Sequence, residues 1–394
     1  MIRRTVDLTP VARDGYDAII DVRSPAEFAL DAIPGAINLP VLDDEQRAAV
    51  GTEYVQGSKF LARRTGAAMV ARNIAAHLEG LLGDRPGGFR PLVYCWRGGQ
   101  RSGAMVTVMD QVGWPAAVLD GGYQAWRRQA QAALYDAPIP HRLVLLDGPT
   151  GSGKTALLAA VAARGGQTLD LEALAAHRGS LFGAVPGGQP SQKGFETRLH
   201  DALSRLDPAR PVLVEAESSK IGARVIPPSL WAAMRAAPTI RLDSPVPVRT
   251  ARTVRDYAAI AADPAALDKA LTSLPRHISK ATVAEWRDFA AAGEVERLAT
   301  ELIVHHYDPA YLRQEQLGAR RALAAVAIEA LTDDALDRAT EAVMAELGGS
   351  GFQDHVEAHD GGDRRRGGDP GEGQRLPRYA QTTAADRQQD DERD

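Results

Sequence analysis

The sequence predicts two α/β domains, each built around a parallel β-sheet. Short apolar runs alternate with helical stretches, prolines at positions 138 and 140 interrupt the alternation, and the same pattern then restarts. We therefore place the first domain at residues 1–136 and the second at residues 137–347. Because 44% of the 394 residues are hydrophobic, the chain can bury two ordinary cores.

Apolar runs at residues 18–22, 34–39, 92–94 and 116–119 predict the strands of the first sheet, and residues 67–82 and 102–112 its helices. In the second domain, strands are predicted at 142–146, 211–215 and 239–242, and a helix at 155–164. From residue 247 to 347 the pattern is mostly helical and predicts a helical extension. Residues 348–394 hold too few apolar side chains to offset ordering entropy, which predicts a disordered tail.

Composition narrows the function classes. A single cysteine excludes an internal disulfide and fits a reducing compartment. No stretch approaches the roughly 20 apolar residues of a membrane span, and the N-terminus lacks the apolar region of a signal peptide. We expect a cytoplasmic protein that does not enter a membrane. The formal net charge of −5 gives no sign of the strongly basic surface typical of nucleic-acid-binding domains.

The one cysteine, Cys95, ends an apolar run and precedes a glycine-rich turn. Backbone N–H groups, an arginine and a helix N-terminus would together favour its thiolate, which is a nucleophile. A lone cysteine is more often an inert buried side chain, but the glycine pair and the arginine reverse that preference. The predicted catalytic loop consists of Cys95, Arg97, Gly98, Gly99 and Arg101.

A second loop fits the pattern G-x-x-x-x-G-K-[ST], with a predicted strand before it and a helix after it. Such a backbone wraps a phosphate at a helix N-terminus, while the lysine adds a point charge and the last hydroxyl suits Mg²⁺. Taken alone, this loop predicts ATP as its ligand. The predicted phosphate-binding residues are Gly148, Gly151, Ser152, Gly153, Lys154 and Thr155.

Two carboxylates follow the strand at 211–215 and are candidates to complete this site. Glu215 could reach a metal-bound water, and Glu217 could orient a substrate group. For each of them, a solvated loop carboxylate is an equally good interpretation. No metal site is firmly predicted.

Four motifs occur in order in the first domain: residues 21–28, residues 33–38, the Cys95 loop and residues 119–126. On these motifs, residues 10–130 resemble a rhodanese domain. Ala32 stands where that family often has a histidine, a position that is not the nucleophile. Cysteine phosphatases share the C-x-x-x-x-x-R spacing, but no phosphatase acid loop is evident.

A rhodanese-like domain followed by a phosphate loop resembles the tRNA 2-selenouridine synthase family, and the resemblance covers about residues 10–315. Further segments that agree are 45–54, 195–199, 215–222 and 307–311. Ala216 and Lys220 depart from the expected Asp and Arg, which leaves roles around Glu217 less defined.

The resemblance implies replacement of sulfur by selenium at C2 of a wobble 2-thiouridine in tRNA, with selenophosphate as the donor. It also implies an S-geranylated intermediate made from geranyl diphosphate, with Cys95 carrying selenium as a perselenide-type adduct and the second loop binding the diphosphate. The expected partners are that tRNA and an enzyme that supplies selenophosphate. Mg²⁺ and ATP stay open, as does an alternative function as an ATP-dependent small-molecule kinase or a sulfurtransferase with a rhodanese-like domain.

Basic residues in the second domain are predicted to be ordinary solvated helix faces rather than phosphate contacts. They are Arg249, Arg252, Arg255, Arg276, His277, Lys280, Arg313, Arg320 and Arg321.

Overall fold

The structure, a computed structural model, describes residues 2–180, 182–275, 278–317 and 321–349. The predicted tail beyond residue 349 lies outside the described residues, as do Arg276, His277 and Arg320. The α/β prediction is confirmed, because two five-stranded parallel sheets are each covered by helices.

The first sheet has the strand order β1-β5-β4-β2-β3, and all of its pairings are parallel. The strands are β1 (Arg3–Thr5), β2 (Ala18–Asp21), β3 (Ala36–Asn38), β4 (Pro91–Tyr94) and β5 (Ala117–Leu119). The helices are α1 (Pro10–Asp14), α2 (Pro25–Leu30), α3 (Asp44–Gln56), α4 (Lys59–Glu79), α5 (Gln100–Val112) and α6 (Gly122–Gln131). A π-helical segment, Ala132–Asp136, leads out of the domain.

Side chains of this sheet alternate between two cores. Val93 of β4 packs with Met105 and Met109 of α5 on one face, whereas Tyr94 packs with Trp126 of α6 on the other. All of these side chains are fully buried. Helices on both faces account for the continuous apolar character of the strands.

The second sheet has the order β12-β11-β6-β8-β7 and is also parallel, with a separate two-stranded antiparallel ribbon of β9 and β10. The strands are β6 (Arg142–Asp147), β7 (Gln167–Leu169), β8 (Pro211–Glu215), β9 (Lys220–Ile221), β10 (Arg224–Val225), β11 (Thr239–Asp243) and β12 (Ala322–Ala327).

The helices of this part divide into those that cover the sheet and those that form the extension. They are α7 (Lys154–Ala163), α8 (Leu171–Ala175), α9 (Gln192–Ser204), α10 (Pro228–Ala236), α11 (Val246–Asp256), α12 (Ala258–Ala261), α13 (Pro264–Thr272), α14 (Lys280–Ala292), α15 (Val295–Leu302), α16 (Asp308–Leu317) and α17 (Asp333–Gly348). A π-helical segment, Ile303–Tyr307, joins α15 to α16.

One segment of the predicted helical extension is wrong. Residues 322–327 form β12, which pairs in parallel with β11 at the edge of the sheet. The segment consists of alanines with one leucine and one valine, so its sequence has no helical periodicity to distinguish it. Pairing with β11 decides its conformation, which is a tertiary effect that local pattern does not show.

A buried polar interface joins the two sheets' domains, with α9 lying against the first domain. Asp31 accepts hydrogen bonds from the hydroxyls of Tyr123, at 2.7 Å, and Thr197, at 2.8 Å. Trp126 Nε1 donates to Thr197 Oγ1 at 3.3 Å, and Arg127 pairs with Glu196. Since Asp31 and Thr197 are both almost fully buried, this contact belongs to the core of the molecule rather than to a solvated linker.

Within the described ranges, no helix combines the length and the apolar character that crossing a membrane requires.

Candidate active site

Cys95 lies directly after β4, at the carboxyl edge of the first sheet. The sheet order places β4 between β2 and β5, so the segments after those two strands flank the Cys95 loop. They begin at Val22 and Asp120, which lie in the motifs at residues 21–28 and 119–126. Ligand sites of parallel sheets occur at this edge, where strand ends converge.

The loop wraps closely around the first turn of α5. Gly98 has a φ of +69°, and a Cβ there would collide with the carbonyl oxygen of Leu119, so glycine is required. Cys95 is 4% exposed, and its Sγ lies 3.3 Å from Ser102 Oγ. Burial raises the pKa of the Cys95 thiol, but the hydrogen bond with Ser102 and the charge of Arg101 bring it below its ordinary value. The site therefore favours the thiolate.

The two arginines of the loop have different surroundings. Arg101 Nη1 donates to Glu27 Oε2 at 2.9 Å in a half-buried ion pair, so its charge lies beside the loop and is held by α2. Arg97 Nε donates to Gln124 Oε1 at 3.1 Å on the exposed side. The catalytic roles of these residues stay predictions.

The neighbouring motifs support the loop from behind. The backbone N–H groups of Tyr123 and Gln124 donate to the carbonyls of Cys95 and Trp96, at 2.9 and 3.0 Å. This contact needs glycine at position 122, because a Cβ there would overlap the Cys95 carbonyl oxygen. Two N–H groups at the start of α6 thus fix the backbone of the nucleophile.

The Asp21-Val22-Arg23 motif has a structural role. Arg23 is 1% exposed and pairs with Asp21, Nη2 to Oδ2 at 2.7 Å, while its guanidinium lies 4.1 Å from the centre of the Tyr123 ring. Arg23 Nη2 also donates to the carbonyl of Asp31. This buried pair joins the ends of β2 and α2 to α6, and so shapes the wall beside Cys95.

The phosphate loop lies between β6 and α7, as predicted. Gly151 and Gly153 have φ values of +79° and +98°, conformations that open the backbone N–H groups toward a bound anion. Lys154 Nζ donates to the Gly148 carbonyl at 2.7 Å, and Ser152 is almost fully buried. The loop thus has the conformation and the cation that phosphate binding needs.

Helix α11 packs over this loop, and two of its arginines are not solvated, contrary to the prediction. Arg249 is 4% exposed: its Nε donates to the Thr150 carbonyl at 2.9 Å, and its Nη1 to Asp308 Oδ2 at 3.0 Å. The helix face that carries Arg249 and Arg252 is covered by the loop and by α15, a tertiary contact that amphipathic periodicity alone does not reveal.

Arg252 is buried beside the phosphate loop. It is 5% exposed, and a Cβ built on Gly153 would lie 3.0 Å from its guanidinium carbon. In the part of the chain that the structure describes, Arg252 forms no ion pair, and its Nε has no hydrogen-bond partner. Burial, followed by the nearby Arg255, lowers its pKa although Asp256 opposes the shift. An anion in the loop would supply the missing partner.

Three carboxyl groups converge on the other side of Lys154. Glu215, 1% exposed, accepts from Thr155 Oγ1 at 3.3 Å and from the Glu172 N–H at 3.2 Å. Burial, followed by the charge of Asp170, raises the pKa of Glu215 to about 8. Burial likewise raises the pKa of Glu172 and of Glu217, in the first case with the charges of the other two carboxylates. Glu172, with a pKa of about 9, and Glu215 are therefore largely protonated near neutral pH.

The phosphate loop and the carboxyl groups beside it line one large cleft, with a volume of about 1530 Å³. Its walls include Lys154, Thr155, Glu172, Glu217 and Arg252. The side chains of Arg178, Ser180, Tyr257 and Tyr307 complete it on the side of the helical extension. The cleft thus combines a phosphate cradle, an unpaired arginine and carboxyl groups, a set suited to a ligand that carries a diphosphate.

Comparison with known proteins identifies the family of this chain. A family model for the AAA domain of tRNA 2-selenouridine synthase matches residues 141–275, and one for the rhodanese-like domain matches residues 9–129. The tRNA 2-selenouridine synthase of Aeromonas salmonicida is 34% identical over 346 residues, covering 80% of this chain and 91% of that protein. The chain belongs to the tRNA 2-selenouridine synthase family. The predicted resemblance is thereby confirmed.

Another relative matches this chain over a shorter region. The tRNA 2-selenouridine synthase of Nitrosomonas europaea is 38% identical over 244 residues, which cover 61% of this chain and 63% of that protein. The chain thus spans less than two thirds of that relative. A solved N-terminal domain from Clostridium difficile 630 is 29% identical and covers 32% of this chain and 97% of its own, with a TM-score of 0.27. The boundaries predicted at residues 136 and 347 stay predictions.

Sequence reasoning missed several residues of the site. Ser102, which contacts the Cys95 sulfur, directly follows Arg101 in the loop and was visible there as a hydroxyl at a helix start. Glu172 follows β7, a strand too short to be predicted, so its position at the carboxyl edge of the sheet was hidden. Arg252 was visible only as one of many basic residues. Only the packing of α11 on the phosphate loop distinguishes it.

Proposed function

We propose that this chain replaces sulfur by selenium at C2 of the wobble 2-thiouridine of tRNA, through an S-geranylated intermediate. The donors are selenophosphate and geranyl diphosphate. The observation that supports this most is the presence, in one chain, of two anion-binding loops with different chemistry. One holds a thiolate at Cys95, and the other holds cations, Lys154 and Arg252, beside a phosphate cradle.

The geranyl transfer belongs to the phosphate loop. The sulfur of the 2-thiouridine attacks C1 of the geranyl group, the C–O bond breaks, and the diphosphate leaves with the bonding electron pair. Lys154 and Arg252 lie where they would offset the charge that develops on this leaving group. Glu172, which is largely protonated near neutral pH, would avoid repelling it.

Thr155 and Glu215 fit a Mg²⁺ ion, since their oxygens lie 3.3 Å apart beside the loop, and Mg²⁺ commonly takes one or two protein oxygens together with substrate phosphates. When bound, it would neutralise phosphate charge. The residues' own contribution is to orient the diphosphate between the cradle and Arg252. ATP is not needed for either half of this scheme.

The selenium transfer belongs to Cys95. A perselenide on Cys95 would need an oxidant, because the selenium of selenophosphate is already fully reduced. A step without an oxidant is attack of the thiolate on phosphorus: an S–P bond forms, the Se–P bond breaks, and hydrogen selenide leaves. The selenide then adds to C2 of the S-geranyl base and expels geranylthiol. Water cleaves the S–P bond, returning the thiolate and phosphate.

The Cys95 loop suits this step. Its backbone lies at the N-terminus of α5, which stabilises the negative charge of a bound phosphoryl group. Ser102 contacts the sulfur, and Arg101 lies close enough to lower the pKa of the thiol. Since the sequence has no second cysteine, no internal thiol competes for the phosphoryl group or for the selenium.

The test is nucleoside mass spectrometry of 2-thiouridine tRNA after incubation with the full chain, geranyl diphosphate and selenophosphate. We expect Cys95→Ala to abolish 2-selenouridine while S-geranyl-2-thiouridine still forms. Lys154→Ala should lose geranylation yet still convert pre-geranylated tRNA into the selenium product. Arg287→Ala, an exposed change on α14, is the control for handling and folding.

Two results would contradict the proposal. Normal 2-selenouridine in the Cys95→Ala variant would remove Cys95 from the reaction. Steady ATP hydrolysis without RNA that disappears in Lys154→Ala would instead favour the kinase alternative. Rapid quenching followed by peptide mass spectrometry then separates the two Cys95 schemes. Attack on phosphorus leaves a phosphoryl group on the Cys95 peptide, whereas the perselenide scheme leaves a selenium atom, which has a different isotope pattern.

A further inference from the structure

An apolar pocket lies beside the phosphate loop, on the side of the helical extension. Its walls come from Phe182, Leu267, Leu298 and Leu302, which are all buried and belong to the core that α13, α14 and α15 share. Ile260 of α12 and Ala261 complete the wall nearer the surface. The pocket is thus a gap in the apolar core of the extension and not a part of the polar cleft.

The pocket and the polar cleft meet at a common mouth. Thr150 of the phosphate loop, Thr253 of α11, Tyr257 and Tyr307 line both of them. A ligand held by the phosphate loop therefore lies next to the entrance of the pocket.

Two tyrosines, Tyr257 and Tyr307, lie at the mouth that the polar cleft and the apolar pocket share. The Tyr257 hydroxyl lies 2.8 Å from Ser180 Oγ, and the Tyr307 hydroxyl also bonds to Ser180, which lines the polar cleft. Both tyrosines also line the apolar pocket. The polarity of the site thus changes within the width of one side chain, as expected for a ligand with a charged head and an apolar tail.

This lining does not suit a nucleoside. A base and a ribose would bring several donors and acceptors into a pocket whose walls, beyond the mouth, are aliphatic and aromatic carbon. The buried Thr253 Oγ1, which has no hydrogen-bond partner in the described part of the chain, lies at the mouth and not in the wall. A hydrocarbon has no polar groups to leave unsatisfied there.

We infer that this pocket is the subsite for the hydrocarbon tail of an alkyl or allylic diphosphate whose head occupies the phosphate loop. The inference rests on the proposed function and adds to it the residues that select the tail. The pocket favours a diphosphate with a chain that reaches past Tyr257 and Tyr307 into the apolar wall. It thereby selects against nucleotides and against shorter chains.

Burial of one methylene group improves binding by about fourfold, so full burial of the five extra carbons of geranyl diphosphate over dimethylallyl diphosphate should improve it by about 1000-fold. Inorganic pyrophosphate reports the head site alone. The ratio of these affinities therefore measures the tail subsite independently of the phosphate loop.

The experiment measures the affinity of the full chain for pyrophosphate, dimethylallyl diphosphate and geranyl diphosphate by calorimetry. Ala261→Phe fills the pocket from α12, while Ala259→Phe makes the same change at an exposed position of that helix that does not line the pocket. We expect Ala261→Phe to reduce the ratio of the affinities for geranyl and dimethylallyl diphosphate by about tenfold or more. Its affinity for pyrophosphate should stay within about twofold of that of the wild type. Ala259→Phe should behave like the wild type.

Pyrophosphate binding also shows that each variant is folded, because the binding site combines the phosphate loop with Arg252 of α11. A wild type that binds all three ligands equally, or an Ala261→Phe variant with an unchanged geranyl preference, would overturn the inference and leave the phosphate-loop assignment intact. A wild type that binds none of them would overturn both that assignment and the inference. Selenium transfer onto pre-geranylated tRNA tests the rest of the proposed function independently.

Discussion

Glu215 gives this fold a pH dependence that can be worked out from its environment. Its carboxyl is 1% exposed, and burial with the charge of Asp170 raises its pKa from 4.5 to about 8. As the pH rises above 4.5 the unfolded chain loses this proton, whereas the folded protein keeps it until about pH 8. The unfolded state therefore binds fewer protons in this window, and the free energy of unfolding falls as the pH rises through it.

The size of the effect follows from the shift. At about 1.4 kcal/mol per pKa unit, the whole shift corresponds to about 5 kcal/mol, of which about 3 to 4 kcal/mol falls between about pH 5 and pH 8. Replacing Glu215 by Gln removes this titration but also removes one acceptor, because an amide cannot accept from both Thr155 and the Glu172 N–H. We expect Glu215→Gln to be about as stable as the wild type, or slightly less, at pH 5 and more stable at pH 8.

The assay is urea unfolding of both proteins at several pH values, with Glu285→Gln, an exposed change on α14, as the matched control. The control removes one carboxylate without touching the cluster around Lys154. Mg²⁺ favours an ionised carboxylate, so adding it at pH 8 should stabilise the wild type and not Glu215→Gln. Parallel pH profiles for the wild type and Glu215→Gln would refute the assignment of a protonated carboxyl at this position.

Three further predictions concern other parts of the molecule. Arg252→Ala should weaken pyrophosphate binding by about tenfold or more, as expected for loss of a buried charge-assisted contact, with partial recovery in Arg252→Lys; unchanged calorimetric affinity would contradict an anion-binding role. Thr197→Val should lower the free energy of unfolding by about 1 to 3 kcal/mol, because Asp31 loses one of two buried donors, whereas an exposed interface would show no loss in the same assay. Gly98→Ala should lower the rate of Cys95 alkylation below that of the wild type, because a Cβ collides with the Leu119 carbonyl and displaces the loop. An alkylation rate equal to that of the wild type would contradict this contact.

The sequence was sufficient for those elements whose signal is local. Strong apolar runs predicted β2, β4, β6, β8 and β11 to within a residue or two, and the glycine patterns predicted both loops with their neighbouring helices. The strands that were not predicted have weak local signals: β1 and β7 contain three residues each, β9 and β10 contain two each, and β12 is mostly alanine. They exist because a neighbouring strand pairs with them, which the local pattern does not record.

The same distinction separates the predicted and the missed site residues. Cys95 and Lys154 lie in motifs whose spacing determines their chemistry, so the residue names were enough to find them. Arg252 and Glu172 acquire their significance from partners distant in sequence: the first from Gly153, and the second from Glu215 and Glu217. A charged residue on a helix has the same local appearance whether water or a phosphate loop covers it.

Arg252 and Glu172, the two residues that the sequence did not reveal, both affect the charge around the phosphate loop. Lys154 and Arg252 bring two positive charges to the loop, whereas the pKa values of Glu172 and Glu215 beside Lys154 are raised to about 9 and about 8, so these two carboxyls are largely neutral near pH 7. The site thus keeps its positive charge for a ligand instead of cancelling it internally. If the carboxyls were ionised, they would compete with a diphosphate for the same cations and repel it. Burial of Glu172 and Glu215 thus leaves the charge of Lys154 to an anion when no metal ion is bound, and the stability lost at high pH is its consequence.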